Sequence, residues 1–259
     1  MAAPENKLKQ ALGAGEVQIG IWLAFGSAAV AEQAAGCGFD WCLVDSEHSP
    51  NDPAQAIGQL RALGDRTQAV MRVPVGEDWV IKRALDLGVQ SLMVPMVETA
   101  AQAEAAVRAM RYPPEGVRGM GPTQARATRY GLVEDYVSTA NAQICCIVQV
   151  ESAAALAAAP EIAALEGVDC VFIGPADLSA DMGYPGQADH PAVEAAIAEA
   201  LPAIEAAGAA PGILAFDAET SARYLSYGAR FLGVGADVTS LRDALRGLAT
   251  QTRQIIGVR

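Results

Sequence analysis

The stretch Val148–Ser179 reads VQVESAAALAAAPEIAALEGVDCVFIGPADLS: an apolar run, an alanine-rich segment of helical length, then a second apolar run. Two short apolar runs split by a helix are what a parallel βαβ unit requires, because parallel neighbours can be joined only by a crossover. Each run ends by delivering a carboxylate, Glu151 after ICCIVQV and Asp177 after VDCVFIGPA. Neighbouring parallel strands lie roughly 4.8 Å apart, so the two carboxylates are expected to emerge side by side.

The same unit recurs in both directions. After a short N-terminal helix near Glu5–Leu12, strand-like runs VQIGIWLA, FDWCLVD, AVMRV and SLMVP each precede a helical stretch. GILA and FLGVG continue the series beyond the opening pair, with helices near Ala218–Ser226 and over SLRDALRGLATQTRQII. Most helices end one to four residues ahead of the next strand at a glycine, namely Gly38, Gly64, Gly88, Gly167, Gly208 and Gly228. A glycine just past a helix takes the left-handed conformation that turns the chain back toward its sheet. Eight βα units predict an α/β fold, a single (β/α)8 barrel covering residues 1–259. The alternative, a doubly wound sheet, needs a glycine-rich phosphate turn after the first strand, and IWLAFGSAAV contains none.

Composition narrows the partners. The 259 residues are 52% hydrophobic and carry a formal net charge of −12, so the surface repels phosphate backbones and anionic lipid, and neither nucleic acid nor membrane is expected as a partner. No apolar run approaches the roughly 20 residues of a membrane helix, and MAAPENKLKQ lacks the basic and apolar regions of a signal peptide. A cytoplasmic location is expected. Five cysteines, an odd number without metal-site spacing and mostly within strand-like runs, read as small apolar core residues in a reducing compartment.

Barrel enzymes place their chemistry at the C-terminal ends of the strands. The residues there are Trp22, Asp45 with Glu47 and His48, Arg72, Glu151, Asp177 and Phe216. Glu151 and Asp177 either cap the helices that follow them or hold one divalent cation, whose remaining positions a chelating substrate would fill. Arg72, where the interior would otherwise receive an apolar side chain, needs an anion: a ligand carboxylate or enolate, or a structural partner in Asp45 or Glu47. His48, three residues after Asp45, can be oriented by that carboxylate and act as an acid or base near neutral pH. His190, before a proline at a helix start, reads as structural. The only lysines are Lys7, Lys9 and Lys82, the last in an i,i+4 pair with Asp86. With no lysine ending a strand, Schiff-base chemistry is excluded and a metal must serve as electron sink. One connection, Tyr112–Gly131, has no helical or strand period. It carries Arg118, Arg126 and Arg129, which are expected to meet an anion or an acidic neighbouring subunit.

FDWCLVDSEHSPND, MRVP, LDLGVQSLMVPMV, YPPEGVRG, VQVES and VFIGPADLS, in that order, resemble the class II, metal-dependent pyruvate aldolases of the 4-hydroxy-2-oxoheptanedioate and 2-keto-3-deoxy sugar acid type. The resemblance spans nearly the whole chain. It implies Glu151 and Asp177 as ligands of a divalent ion (Mg²⁺, Mn²⁺ or Co²⁺), Arg72 at the keto oxygen of pyruvate, and His48 with Asp45 as the acid/base dyad. Gln149, Trp22, Ala176, Leu214 and Phe216 are implied as substrate-binding residues, with Asp86 reaching a neighbour's site. It also implies a hexamer built as a trimer of dimers that exchange their last helix. The implied reaction is reversible cleavage of a 4-hydroxy-2-oxo acid to pyruvate or hydroxypyruvate and an aldehyde through a metal-stabilised enolate. The loop segment GPTQARATRY departs from the family pattern. Two alternatives remain: a thioester lyase of the citrate lyase β-subunit or malyl-CoA type, against which the acidic balance argues, and a non-catalytic metal-dependent binding protein.

Overall fold

A computed structural model describes residues 1–257. Eight parallel strands, β1 (Gln18–Leu23), β2 (Trp41–Asp45), β3 (Gln68–Arg72), β4 (Ser91–Val94), β5 (Cys145–Val150), β6 (Cys170–Ile173), β7 (Ala210–Leu214) and β8 (Phe231–Ala236), close in sequence order, β8 pairing with β1. Helices follow every strand, as expected of a (β/α)8 barrel. All six glycines singled out above have positive φ, from 56° to 116°, the region that L side chains disfavour. The expected span of 1–259 ends on Val258 and Arg259, which lie outside the described residues.

Strand alternation sorts each run into two faces. On β2, Cys42 and Val44 join the outer core under the helices, while Trp41 and Leu43 point inward. Inside, Trp22, Trp41, Phe172 and Phe231 form one ring cluster, with Trp41 stacked on Phe231 at 4.0 Å and Trp22 5.5 Å from both Trp41 and Phe172. Such bulk fits only where facing positions lack a side chain: a Cβ at Gly20 or Gly233 would come within 2.0 Å of Trp41 or 2.5 Å of Trp22. Below the rings, the N-terminal helix Lys7–Gly13 inserts Leu8 and Leu12 into the same cluster. It is tied down by Lys9 Nζ to Asp169 at 2.6 Å and Asn6 Nδ2 to Ser91 Oγ at 3.0 Å. The barrel is therefore plugged at its N-terminal end, and a ligand meets the interior only at the C-terminal mouth.

Departures from expectation lie in the sixth unit and in the loop 112–131. The sixth unit carries two helices, Pro175–Asp181 and Pro191–Ala207, so Asp177 lies in the first turn of a short helix and not at a strand end. His190 caps the longer one, its Nδ1 accepting from Ala192 N at 3.2 Å while the ring stacks on Tyr184 at 3.6 Å, the structural role predicted for it. The loop 112–131 folds back on its own chain: Arg118 is buried, 2.8 Å from Asp86 and over the Tyr112 ring at 4.3 Å, and Arg126 Nη1 donates to Leu87 O at 2.6 Å. Those two arginines are thus occupied within the chain, contrary to the expectation of an external anion or acidic subunit, and Asp86 pairs with Arg118 in place of Lys82. Arg129 alone of the three stays exposed.

The last helix, Asp237–Ile255, starts three residues earlier than its apolar pattern suggested. Asp237 anchors it, accepting from Ala24 N at 2.9 Å and Phe25 N at 3.2 Å. Beyond that anchor the helix leaves the barrel: Leu241, Leu245 and Leu248 form a stripe at helical spacing, 47–63% exposed. On the barrel itself Ile19 and Leu225 stay 36% and 37% exposed.

Candidate active site

Inward positions at the strand ends carry the polar groups. Alternation puts Arg72 inward on β3 above Val70, and the register of β2 with β3 sets it beside Asp45. The guanidinium grips Asp45 with two contacts, Nε to Oδ1 and Nη2 to Oδ2, both 2.9 Å. Its remaining nitrogen, Nη1, lies 2.9 Å from Glu47 Oε2 and donates to Gln149 Oε1 at 3.4 Å. Burial works against the Arg72 charge, but Asp45, Glu47 and Glu151 outweigh it, and its pKa is raised.

Glu151 follows the same inward register on β5, after Gln149. Gln149 Nε2 donates to Glu151 Oε1, and the backbone N–H of Met96 donates to Glu151 Oε2 at 3.0 Å. Met96 holds φ 55° to do so, an uncommon conformation for a residue other than glycine. Opposite, a Cβ at Gly174 would lie 2.7 Å from Glu151 Oε1 and 3.0 Å from Gln149 Nε2, so only glycine lets this carboxylate and amide close up. Burial lifts the Glu151 carboxyl from 4.5 to about 7. The Met96 N–H pulls it down, Glu47 and Asp177 push it further up, and Arg72 opposes them. Burial likewise raises the Glu47 carboxyl against the pull of Arg72 and His48.

Neither metal-ligand candidate is a helix cap. Ser152 caps Ala153–Ala163, its side chain accepting from Ala155 N at 3.0 Å, and Pro175–Asp181 begins at Gly174 with no side-chain cap. Three carboxylates, Asp45, Glu47 and Glu151, thus surround a single arginine, and Asp177 adds its negative charge to those of Glu47 and Glu151. A divalent cation fits this excess of hard oxygen donors. Among the described residues no three His, Cys, Asp or Glu side chains converge to hold a metal ion together. Such an ion would take Glu151 and Asp177 from the protein and its other ligands from water or substrate.

The remaining expected site residues do not share this cluster. His48 is on the exposed loop after β2, its Nε2 3.8 Å from Glu47 Oε2, while Asp45 is engaged by Arg72, so the expected His48–Asp45 pairing is replaced by His48 beside Glu47. Trp22 is 5% exposed inside the ring cluster and does not form the pocket's outer wall. Asp86, expected at a neighbour's site, ends helix Asp78–Asp86 and pairs with Arg118 at 2.8 Å. Ala176, Leu214 and Phe216 are together, but on a cleft of about 810 Å³ along the β6–β7 side, shared with Asp217 and Arg223. Gly174 and the Met96 N–H were not assigned roles from sequence, and Glu47 was named only as an alternative ion-pair partner of Arg72, which it is; the glycine in VFIGPAD, at a strand end where bulk is usual, was the available signal.

The profile of the HpcH/HpaI aldolase/citrate lyase family matches residues 18–244. The chain is 51% identical over 252 residues to a hydroxypyruvate/pyruvate aldolase of Agrobacterium fabrum, covering 97% of this chain and 95% of that protein. It is 49% identical over 248 residues to a 4-hydroxy-2-oxo-heptane-1,7-dioate aldolase of Escherichia coli, covering 95% of each. The crystal structure of a HpcH/HpaI aldolase/citrate lyase family protein from Burkholderia cenocepacia superposes with a TM-score of 0.92 at 44% identity, covering 96% of this chain and 99% of that one.

Proposed function

The chain belongs to the HpcH/HpaI aldolase/citrate lyase family and is an aldolase, a carbon–carbon lyase, and from this premise we propose how its own residues work and on what. The substrate is a 4-hydroxy-2-oxo acid, cleaved reversibly to pyruvate or hydroxypyruvate and an aldehyde. The observation that carries this is the crowding of Asp45, Glu47 and Glu151 around Arg72 at the open end of the barrel, with Glu151 buried, free of any capping role and lifted to about 7.

Glu151 and Asp177 would hold a divalent ion, Mg²⁺, Mn²⁺ or Co²⁺. When bound, that ion supplies Lewis acidity toward the carboxylate and keto oxygens of a 2-oxo acid. Arg72, already fixed by Asp45, offers Nη1 to the keto oxygen and stabilises negative charge that grows there as the C3–C4 bond breaks. His48 takes the proton of the 4-hydroxyl group, the C3–C4 electron pair stays with C3, and the aldehyde departs. Gln149, between Arg72 and Glu151, keeps both facing the same space. Ala176, Leu214 and Phe216 border the route of the aldehyde.

In solution the protein is a cytoplasmic hexamer, a trimer of dimers exchanging the last helix. The exposed Leu241, Leu245 and Leu248 stripe and the uncovered Ile19 and Leu225 support an exchange of this kind, and in such an assembly Asp86 reaches a neighbour's site. Among the described residues no helix is long and apolar enough to cross a membrane. The test is release of pyruvate or hydroxypyruvate from 4-hydroxy-2-oxo acids, with and without EDTA. Release that EDTA stops and Mn²⁺ restores is the expected result. Turnover of a CoA thioester alone would favour the thioester lyase, no turnover of either substrate a binding protein, and full activity in EDTA would end the metal-dependent mechanism.

A further inference from the structure

The cleft bordered by Ala176, Leu214 and Phe216 holds more charge than the passage of an aldehyde requires. Beyond those three residues its wall carries four carboxylates, Asp189, Glu194, Asp217 and Glu219, and among the described residues lining it Arg223 is the only basic one. That guanidinium is already engaged. Its Nε lies 3.0 Å from Glu194 Oε2, and its Nη2 donates to Thr220 Oγ1 at 3.3 Å. Thr220 in turn donates to Asp217, from its backbone N–H to Oδ1 and from its hydroxyl to Oδ2, both at 2.8 Å. These two bonds hold the Asp217 carboxyl below the usual carboxylate range. Across the facing helices Pro191–Ala207 and Ala218–Ser226, the one positive charge of the wall is therefore tied to two of the protein's own carboxylates, to Glu194 directly and to Asp217 through Thr220.

On the aldolase reading above, we propose that this cleft selects the aldehyde by charge, accepting a neutral, polyhydroxylated aldehyde and turning away one that ends in a carboxylate. The reason lies in which groups remain free. A carboxylate accepts hydrogen bonds and donates none, so Asp217 and Glu219, both exposed, offer lone pairs to the hydroxyl groups of a neutral aldehyde. An anionic aldehyde finds no unengaged guanidinium. It must displace Glu194 from Arg223 or enter beside unpaired carboxylates, and like charges brought into contact are an effective means of rejecting a wrong partner. The specificity-determining residues are Glu194, which neutralises Arg223, and Asp217 with Glu219, which add negative charge to the wall that Phe216 shares.

The test is addition of pyruvate, with Mn²⁺ saturating, to two four-carbon aldehydes: erythrose, which is neutral and hydroxylated, and succinic semialdehyde, which ends in a carboxylate. The ratio of kcat/KM should favour erythrose by about tenfold or more. Raising the salt from about 0.05 to about 0.5 M should narrow that gap, because charges at a solvated wall are screened. Asp217→Asn combined with Glu219→Gln removes two charges from exposed positions, and asparagine keeps the helix cap. Glu194→Gln releases Arg223. Each variant should shift the ratio about threefold or more toward succinic semialdehyde, and adding Arg223→Gln to Glu194→Gln should reverse the second of these shifts. Should Glu194→Gln fail to fold, the exposed pair still decides the matter. A wild-type preference for succinic semialdehyde, or a ratio that no folded variant moves, would overturn the proposal and place selection outside this cleft. Wild-type protein that adds pyruvate to neither aldehyde would instead overturn the aldolase reading on which it rests.

Discussion

Removing the charge of Glu151 should stabilise the metal-free protein at alkaline pH, an unusual outcome for mutation of a proposed metal ligand. The carboxyl is 4% exposed and lifted from 4.5 to about 7, chiefly by burial. Its folded-state pKa lies above the unfolded one, so the proton favours the native state. That stability is fully present below 4.5 and is lost as the pH rises through about 7. A difference of 2.5, from 4.5 to about 7, corresponds to about 3 kcal/mol at 1.36 kcal/mol per unit. Glu151→Gln carries no titrating group but cannot accept from both Met96 N and Gln149 Nε2, a loss of about 1 kcal/mol. About 2 kcal/mol should remain at pH 8, which for a chain of this size is roughly a 5 °C higher Tm. The assay is thermal melting of both proteins in EDTA between pH 4.5 and 8.5. The variant should melt above wild type at pH 8, the gap should close toward pH 5, and Mn²⁺ at pH 8 should raise only the wild type. Parallel curves across the range, or a variant that melts lower at pH 8, would refute the electrostatic account of this site.

Three further outcomes are expected. His48→Ala should lose roughly 10² to 10⁴ in aldol cleavage while retaining much more oxaloacetate decarboxylation, whereas Arg72→Ala should depress both; measured side by side, equal losses in His48→Ala would contradict the division of labour. Gly174→Ala places a methyl 2.7 Å from Glu151 Oε1, so it should weaken Mn²⁺ binding at least tenfold by calorimetry with little change in secondary structure by circular dichroism, and unchanged affinity would show that the carboxylate position is not set by that close approach. Phe216→Ala, at the cleft on the β6–β7 side, should reorder a panel of acceptor aldehydes while leaving the KM for pyruvate within about twofold, and an unchanged ranking would move specificity elsewhere.

The barrel was legible because its causes are local. A strand buried on both faces must be apolar throughout, a parallel crossover must be a helix, and a helix returning to the sheet ends most cheaply in glycine; each leaves its mark within a few residues, as Gly167 does between Ala153–Ala163 and β6. The same alternation was enough to place Arg72 and Glu151 at inward strand ends. Less was legible about the sixth unit, where Pro175 and Pro191 each start a helix and the chain between them carries no period of its own.

Sequence alone therefore determined the eightfold repeat and the strand ends at which Asp45, Arg72 and Glu151 sit. Only the tertiary structure decided which carboxylate serves which cation. Asp45 and Glu47 are two residues apart and chemically alike, and either could have faced His48. The register of β2 against β3 sets Asp45 level with Arg72, and the 2.9 Å grip that results leaves Glu47 as the neighbour of the histidine. Likewise Arg118 reads as a loop charge until the chain folds it against Asp86 and Tyr112. Periodicity is written along the chain, but pairing depends on ångström-scale distances between strands and loops far apart in it, and the energy of an ion pair falls with just those distances.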